Sequence, residues 1–282
     1  MNLTSPSQVK AWCIENGFHP NRTLGQNFLI DRNILEAILG AAGVRAGQRV
    51  LEIGAGLGVL TEAMLACGAR VTAVEKDSRL ASRLAASLGH PDGLSVVEAD
   101  ALELDLDAFL AGGFDVCVSN LPYSVGTRIL IDLALHPLAP QSFTVLVQTE
   151  VAERLAAAPG CEARGQAGVW LQLDYAVAVV RGVKASCFWP RPEVGSSVVR
   201  LDRHACTLTP AERTWFFELS RYAFMHRRKQ LSAALRRAPE PLVRSDEALA
   251  ALFAAAGIEP VCRAEQLTNA QWQALARAYA AE

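Results

Sequence analysis

From Arg49 onward, short β-prone apolar runs alternate with amphipathic stretches, and that rhythm leaves few folds open. Residues 49–53, 70–74, 94–98, 114–119 and 142–148 are predicted strands, and residues 59–67, 77–88 and 125–135 are predicted helices between them. Strands separated by helices cannot pair as hairpins. They must lie parallel, with helices on both faces of the sheet, and residues 142–148 have the near-continuous apolar character of a strand buried on both sides. Upstream, Asp31 is a candidate cap for a helix over residues 31–42, with apolar residues at 34, 35, 38 and 39. Downstream the rhythm breaks. Residues 175–185 and 196–201 read as strands with no full helix between them, which predicts an antiparallel closing hairpin. After Asp202 only helical periodicity remains, over 210–225, 227–237, 246–256 and 264–280. The expectation is an α/β sheet domain over residues 1–205 and a small all-helical domain over 206–282.

Length agrees with one large domain and an appendix, since 282 residues exceed a single doubly wound domain and fall short of two. Charges interrupt every apolar run well before the roughly eighteen residues a membrane span requires. The start, Met1-Asn2-Leu3-Thr4-Ser5-Pro6-Ser7, shows no basic region followed by an apolar stretch, so no secretory signal and a cytoplasmic location are expected. Seven scattered cysteines, none in a Cys-x-x-Cys pair, read as reduced thiols, and five histidines show no metal-ligand spacing, so no metal is expected. The formal net charge of −2 conceals a division. Residues 1–180 hold 12 Lys and Arg against 19 Asp and Glu, a net of −7, whereas residues 181–282 hold 15 against 10, a net of +5. Arg221, Arg227, Arg228, Lys229, Arg236 and Arg237 fall within seventeen residues that carry no carboxylate. A charge run is ordinarily a solvated helix face. Six unbalanced cations interleaved with Tyr222 and Phe224 point instead to a phosphate backbone.

Two loops carry the chemistry. Leu51-Glu52-Ile53-Gly54-Ala55-Gly56-Leu57-Gly58 reads as a strand entering a glycine turn that opens a helix, which brings backbone close to a nucleotide-like ligand. Val59 stands where a dinucleotide-binding turn needs its third glycine, which counts against a nicotinamide cofactor. Glu75, ending its strand, can accept from two ribose hydroxyls; Asp100, one strand further on, can accept from an adenine amino group. At the end of the fourth strand comes Asn120-Leu121-Pro122-Tyr123. A ring-conjugated amine is a poor nucleophile because its lone pair is delocalised. The Asn120 side-chain carbonyl and the Leu121 backbone carbonyl can each take one N–H and draw the nitrogen toward tetrahedral geometry. Pro122 stiffens the bend without needing a partner for a backbone N–H, and Tyr123 offers a stacking face worth about 1–3 kcal/mol. Phe188, in Phe188-Trp189-Pro190-Arg191-Pro192, reads equally as a second stacking ring or as core. The set predicts methyl transfer from S-adenosylmethionine to a conjugated amino group, with the gain in rate coming chiefly from orientation.

Taken in order, these residues resemble the ribosomal RNA adenine N6-dimethyltransferases of the bacterial small-subunit type. The resemblance runs from about Asn21 to Glu282 and includes Leu24-Gly25-Gln26-Asn27-Phe28-Leu29-Ile30-Asp31, the glycine turn, Glu75, Asp100, the Asn120 tetrad, and the run from Phe188 to Ser197. Arg227-Arg228-Lys229-Gln230-Leu231 and Arg263-Ala264-Glu265-Gln266-Leu267 extend it. It implies a Rossmann-like class I methyltransferase sheet with a helical domain for RNA and ribosome binding. It implies that Asn27 and Leu29 contact the methionine end of the cofactor, that Gly54 and Gly56 line its backbone side, that Glu75 holds the ribose and Asp100 the adenine, and that Asn120 joins cofactor to target amine. Arg221, Arg227, Arg228 and Lys229 would meet RNA. The implied reaction places two methyl groups on each of two adjacent adenosines in a hairpin near the 3′ end of 16S ribosomal RNA within the assembling 30S subunit, with the enzyme acting as a monomer. Residues 161–170 depart from the family's usual tyrosine-glycine stretch. Competing readings are a large-subunit ribosomal RNA adenine methyltransferase of the antibiotic-resistance type, a DNA adenine or protein glutamine methylase, a non-enzymatic ribosome-assembly factor, and a nicotinamide oxidoreductase.

Overall fold

The computed structural model describes residues 1–21 and 25–281; Leu24 of the first motif and Glu282 lie outside them. In chain order the elements are α1 (Pro6–Glu15), β1 (Phe28–Leu29), α2 (Arg32–Ala42), β2 (Arg49–Ile53), α3 (Val59–Ala66), β3 (Arg70–Glu75), α4 (Ser78–Ser87), β4 (Leu94–Glu98), α5 (Leu106–Leu110), β5 (Val116–Asn120) and α6 (Gly126–Ala134). These are followed by β6 (Ser142–Gln148), α7 (Thr149–Ala156), α8 (Gln166–Asp174), β7 (Tyr175–Val183), β8 (Phe188–Trp189), β9 (Ser196–Arg203), α9 (Pro210–Met225), α10 (Leu231–Leu235), α11 (Asp246–Ala256) and α12 (Asn269–Ala280).

The chain folds as two compact units, Met1–Ala152 with Ala176–Arg203, and Glu153–Tyr175 with His204–Glu282. The first holds a seven-stranded sheet in the order β4-β3-β2-β5-β6-β9-β7. From β4 to β6 neighbouring strands run parallel, and β9 lies antiparallel to β6. The central strands are buried almost throughout because helices cover both faces: Val50, Leu51, Val118 and Leu146 are each at most 1% exposed. Chain order reverses between β2 and β5. An open α/β sheet forms its ligand crevice at such a point, outside the carboxyl ends of the strands, so the residues after β2 and β5 face one another. Asp31 caps α2 by accepting from the Ile34 N–H at 3.1 Å, as its position predicts.

The second unit has its own apolar core, in which Trp272, Phe216, Leu219, Leu235 and Leu275 are fully buried. Its membership differs from the sequence-based boundary at 205/206. Residues 153–175 belong to the helical unit because Val169 and Leu173 pack in that core. Close packing inside the segment depends on Gly168, where a Cβ would lie 2.5 Å from the Arg154 carbonyl oxygen. The predicted helix over 227–237 is confined to Leu231–Leu235, since residues 226–229 form turns. Among the described residues, no helix is long and apolar enough to cross a membrane.

Candidate active site

Asn27, Leu29, Gly54, Gly56, Glu75, Asp100, Asn120 and Pro122 all line one pocket at the carboxyl edge of the sheet. Each of them is a site candidate on sequence grounds alone. Gly54 follows β2 with φ +75°, and a Cβ placed there would lie 3.6 Å from the Asn120 carbonyl oxygen and 3.8 Å from Pro122 Cδ. The glycine turn and the Asn-Leu-Pro-Tyr bend therefore lie against one another. From the other side, a Cβ on Gly25 would sit 3.1 Å from the Tyr123 backbone nitrogen, so the segment carrying Asn27 packs on the same bend.

Asn120 is the last residue of β5 and not a loop residue, which fixes its backbone in the sheet beside Leu146. Its Nδ2 donates to the Asn27 carbonyl at 3.0 Å. With the amide nitrogen held there, Oδ1 is left as the accepting atom, and among the described residues it has no donor. Leu121 is buried and donates its N–H to the Leu146 carbonyl at 3.2 Å, which fixes the Asn120–Leu121 peptide plane; its own carbonyl belongs to the next plane, the one stiffened by Pro122. The geometry thus presents one side-chain acceptor and one main-chain acceptor at consecutive residues. Pro122 adds rigidity, and its carbonyl takes the Gly126 N–H at 2.7 Å where α6 begins.

Glu75 closes the ribose side. Its Oε2 accepts from the Gly56 N–H at 2.8 Å and its Oε1 from the Asp77 N–H at 2.9 Å. One carboxylate therefore shapes the glycine turn, and each oxygen keeps a further lone pair for a ligand hydroxyl. Burial raises the Glu75 pKa, and the backbone donors oppose that shift. Asp100 pairs with Lys76 and accepts from the Leu102 N–H at 3.0 Å, and the lysine bond holds its carboxyl below the ordinary range. Lys76 has no counterpart in the sequence-based site.

Beneath the turn is Glu52, 1% exposed and hydrogen-bonded by Thr61 Oγ1 at 2.6 Å. Burial raises its pKa from 4.5 to about 8, with the neighbouring Glu75 charge adding to the shift. Glu52 is then mostly protonated at neutral pH. Because the folded state binds the Glu52 proton more tightly than the unfolded chain, the stability this proton contributes is present below 4.5 and is lost as pH rises to about 8. Glu52→Gln keeps an acceptor for Thr61 and removes the titration. Its melting temperature is expected to gain on the wild type as pH rises across that window, and parallel pH profiles would contradict the assignment.

The two aromatic candidates lie elsewhere than in the pocket wall. Tyr123 is half-buried, with its hydroxyl 2.5 Å from Ser196 Oγ, so the ring is tethered to the start of β9. Phe188 is 2% exposed in the sheet's core, where β8 pairs antiparallel with β1 and Phe188 faces Leu29. That burial agrees with the core reading of Phe188, in the same apolar cluster as Leu29. Sequence reasoning also gave no role to Leu3 and Leu102, which line the pocket, or to Gln26, Asp77 and Ser196. Gln26 and Ser196 stand inside the quoted motifs, and Asp77 follows Glu75 by two residues, which was the available signal.

In the helical unit the basic residues separate. Arg221 pairs with Glu218, Arg236 pairs with Asp246, and Arg227 donates to the Glu162 carbonyl at 2.8 Å. Arg228, Lys229 and Arg237 are exposed and have no ion pair among the described residues. Among those residues, no group of three His, Cys, Asp or Glu could hold a metal ion.

A parallel sheet whose chain order reverses at its centre, a glycine turn tied to a buried carboxylate, and the Asn120 end of the bend lining the same pocket define the class as a Rossmann-like methyltransferase. The profile of the Ribosomal RNA adenine dimethylase family matches residues 17–281, and the chain belongs to that family. It is 40% identical over 282 residues to a ribosomal RNA small subunit methyltransferase A of Opitutus terrae, covering 98% of both chains. With the protein of the same description from Deinococcus radiodurans it shares 42% over 276 residues, covering 98% of this chain and 91% of that one. A solved dimethyladenosine transferase of Plasmodium falciparum superposes with a TM-score of 0.74 at 25% identity, covering 87% of this chain and 94% of that one. The solved 23S rRNA methyltransferase ErmE gives 0.68 at 27%, covering 89% and 99%.

Proposed function

We propose that the protein dimethylates N6 of two adjacent adenosines in a hairpin near the 3′ end of small-subunit ribosomal RNA, using S-adenosylmethionine. The observation that carries this reading is the contact between glycine turn and tetrad, which puts Gly54, Gly56, Glu75 and Asp100 in one pocket with Asn120 and Pro122, the residues on either side of Leu121. The residues present fit the cofactor: Glu75 has lone pairs to spare for ribose hydroxyls, Asp100 is an anionic acceptor one strand away, and Gly56 brings backbone close, with a Cβ there 3.2 Å from Phe28. When bound, S-adenosylmethionine supplies a methyl carbon already activated by its positive sulfur.

The chain's own contribution is orientation. Asn120 Oδ1 and the Leu121 carbonyl accept the two N–H bonds of the target amine and concentrate its lone pair away from the ring. Anchoring Nδ2 on Asn27 keeps Oδ1 aimed without reorganisation at the moment of reaction. Both acceptors are neutral, so they polarise the amine without removing a proton beforehand. Asn27, Leu29, Gly54, Gly56, Glu75 and Asp100 are assigned to the cofactor, and Asn120, Leu121, Pro122 and Tyr123 to the target. Phe188 is assigned a supporting place behind Leu29.

Close relatives described as small-subunit enzymes favour that RNA over the large-subunit alternative, and the intact tetrad disfavours a purely structural assembly factor. The protein is assigned to the cytoplasm and acts as a monomer, without metal, on the assembling 30S subunit. Radiolabelled methyl transfer to unmodified small subunits, followed by nucleoside analysis, tests the reading: dimethyladenosine is expected, and its absence under saturating cofactor would overturn it.

The helical unit is assigned to RNA phosphates. Replacing Arg228 and Lys229 by alanine should flatten the salt dependence of RNA affinity by about one to two units of slope. Arg227→Ala should change the slope less, because its guanidinium is engaged by the Glu162 carbonyl. An unchanged slope in the double variant would make these cations a solvated face.

A further inference from the structure

Gln26 sits one residue before Asn27, and both ends of its side chain are engaged. Oε1 accepts from the Asn21 N–H at 2.7 Å, while Nε2 donates to Asp77 Oδ2 at 2.9 Å. Asp77 is 6% exposed; its own N–H binds Glu75, and its carboxylate also receives Arg79 through Nε and a terminal nitrogen, at 3.0 and 2.7 Å. On the other side, the carbonyl of Asn27 holds Asn120 Nδ2. A continuous path thus runs from Gly56 through Glu75, Asp77 and Gln26 to Asn27 and Asn120. It joins the cofactor wall to the reactive amide.

We propose that Gln26 is a positioning residue, acting through Asn27, that holds Asn120 in its reactive orientation and links that orientation to the ribose-side carboxylate. The inference rests on reading the pocket as the methyl-donor site. The physical need is plain. β1 is only two residues long, so the backbone carrying the Asn27 carbonyl has little sheet support of its own. The amide of Gln26 supplies a charge-assisted tie on that segment, the stronger kind of hydrogen bond. A glutamine is required for this double duty, because one end must donate to a carboxylate while the other accepts a backbone N–H. A glutamate in its place would keep the acceptor, lose the donor and set a second anion against Asp77, with Glu75 behind it. Among the described residues, Arg79 is the one cation bonded to that carboxylate.

The test is a polarity exchange. Gln26→Glu, Asp77→Asn and the double variant are compared with the wild type for S-adenosylmethionine affinity by calorimetry, for kcat and KM on unmodified small subunits, and for melting temperature. Gln26→Glu should lower both kcat and cofactor affinity about tenfold, and Asp77→Asn should also lower both. In the double variant the amide introduced at position 77 can donate to the carboxylate introduced at position 26, which restores both quantities to within about threefold of wild type. Gln26→Met, of similar volume and without either bond, should show the same losses as Gln26→Glu and takes its place if the latter folds poorly. Wild-type kinetics in Gln26→Glu would overturn the proposal, as would a double variant no better than its parents, or one that recovers only melting temperature. Wild-type turnover reports separately on the reading of the site: without transfer by the wild type that reading fails, while the affinity comparison still decides the role of Gln26.

Discussion

Asn120→Ala is expected to lower kcat for methyl transfer by on the order of 10²–10³, the range found when one preorganised polar contact to a reacting group is removed. The residue performs two tasks through two atoms. Oδ1 is the acceptor for one amine N–H, and Nδ2 is bound to Asn27. Removing both leaves the Leu121 carbonyl as a single acceptor, in a bend that the Leu121 N–H on Leu146 and the Gly126 N–H on the Pro122 carbonyl anchor at either side without the Asn120 side chain. One acceptor can hold the amine but cannot set the direction of its lone pair. Cofactor affinity should fall by no more than about tenfold, the cost of leaving one carbonyl partner unpaired, so the loss belongs to kcat. Asn120→Asp separates the tasks: the acceptor persists, while a carboxylate now faces the Asn27 carbonyl and repels it. Its kcat should therefore also fall steeply. A variant of either kind that turns over within about tenfold of wild type at saturating cofactor would remove Asn120 from the mechanism.

What could be read from the sequence depended on how local the physical cause was. The sheet was legible because its parallel strands are short, β-branched-rich apolar runs separated by helical stretches: Val50-Leu51 and Ile53 in β2, Val71 and Ala73-Val74 in β3, Val116-Cys117-Val118 in β5, and Val145-Leu146-Val147 in β6. The pocket was legible because its members sit at strand ends, where the glycine turn, Glu75, Asp100 and Asn120 recur in a fixed order. Helix α7 was not, because it follows β6 with no intervening residue and no glycine or proline to mark the change. Helix α8 contains Gly168, a helix breaker by propensity that serves close packing against residues 154 and 155. Its allegiance to the helical unit comes from Val169 and Leu173 joining a core built by α9 and α12, far along the chain. Pairings across the fold were invisible for the same reason. Lys76 with Asp100, Gln26 with Asp77 and Tyr123 with Ser196 join residues 24 to 73 positions apart. Phe188 shows the limit from the other direction: an aromatic in a proline-rich run read equally as a stacking ring or as core, and only the fold shows it 2% exposed and paired with Leu29 of a two-residue strand. The basic run behaved likewise. Neutralising partners at Glu218 and Asp246 stand just outside the stretch that looked free of carboxylates.

Glu75→Gln is expected to show the opposite kinetic division from Asn120→Ala. A carboxylate can accept at both oxygens, and here both are used by backbone, from Gly56 and from Asp77. Glutamine has one accepting oxygen. Whichever way its amide turns, one backbone N–H faces an NH2 group, at a cost of about 1–3 kcal/mol in stability. If the Gly56 N–H is the one displaced, the glycine turn shifts and the cofactor loses both its ribose acceptor and its backbone wall. S-adenosylmethionine affinity should therefore fall about a hundredfold, the product of two losses of roughly tenfold each. Affinity for its demethylated product should fall equally, because the ribose is common to both. At saturating cofactor kcat should fall by no more than about tenfold, since Asn120 and the Leu121 carbonyl keep their own bonds and only the support reaching Asn120 through Asp77 and Gln26 is loosened. Acidity provides an independent check. Burial raises the Glu75 pKa, so wild-type cofactor affinity should decline as pH falls through that titration, whereas Glu75→Gln should lack this decline. Equal affinity in the two proteins, or an unchanged acid limb in the variant, would take Glu75 out of the ribose site and leave it only the task of shaping the turn.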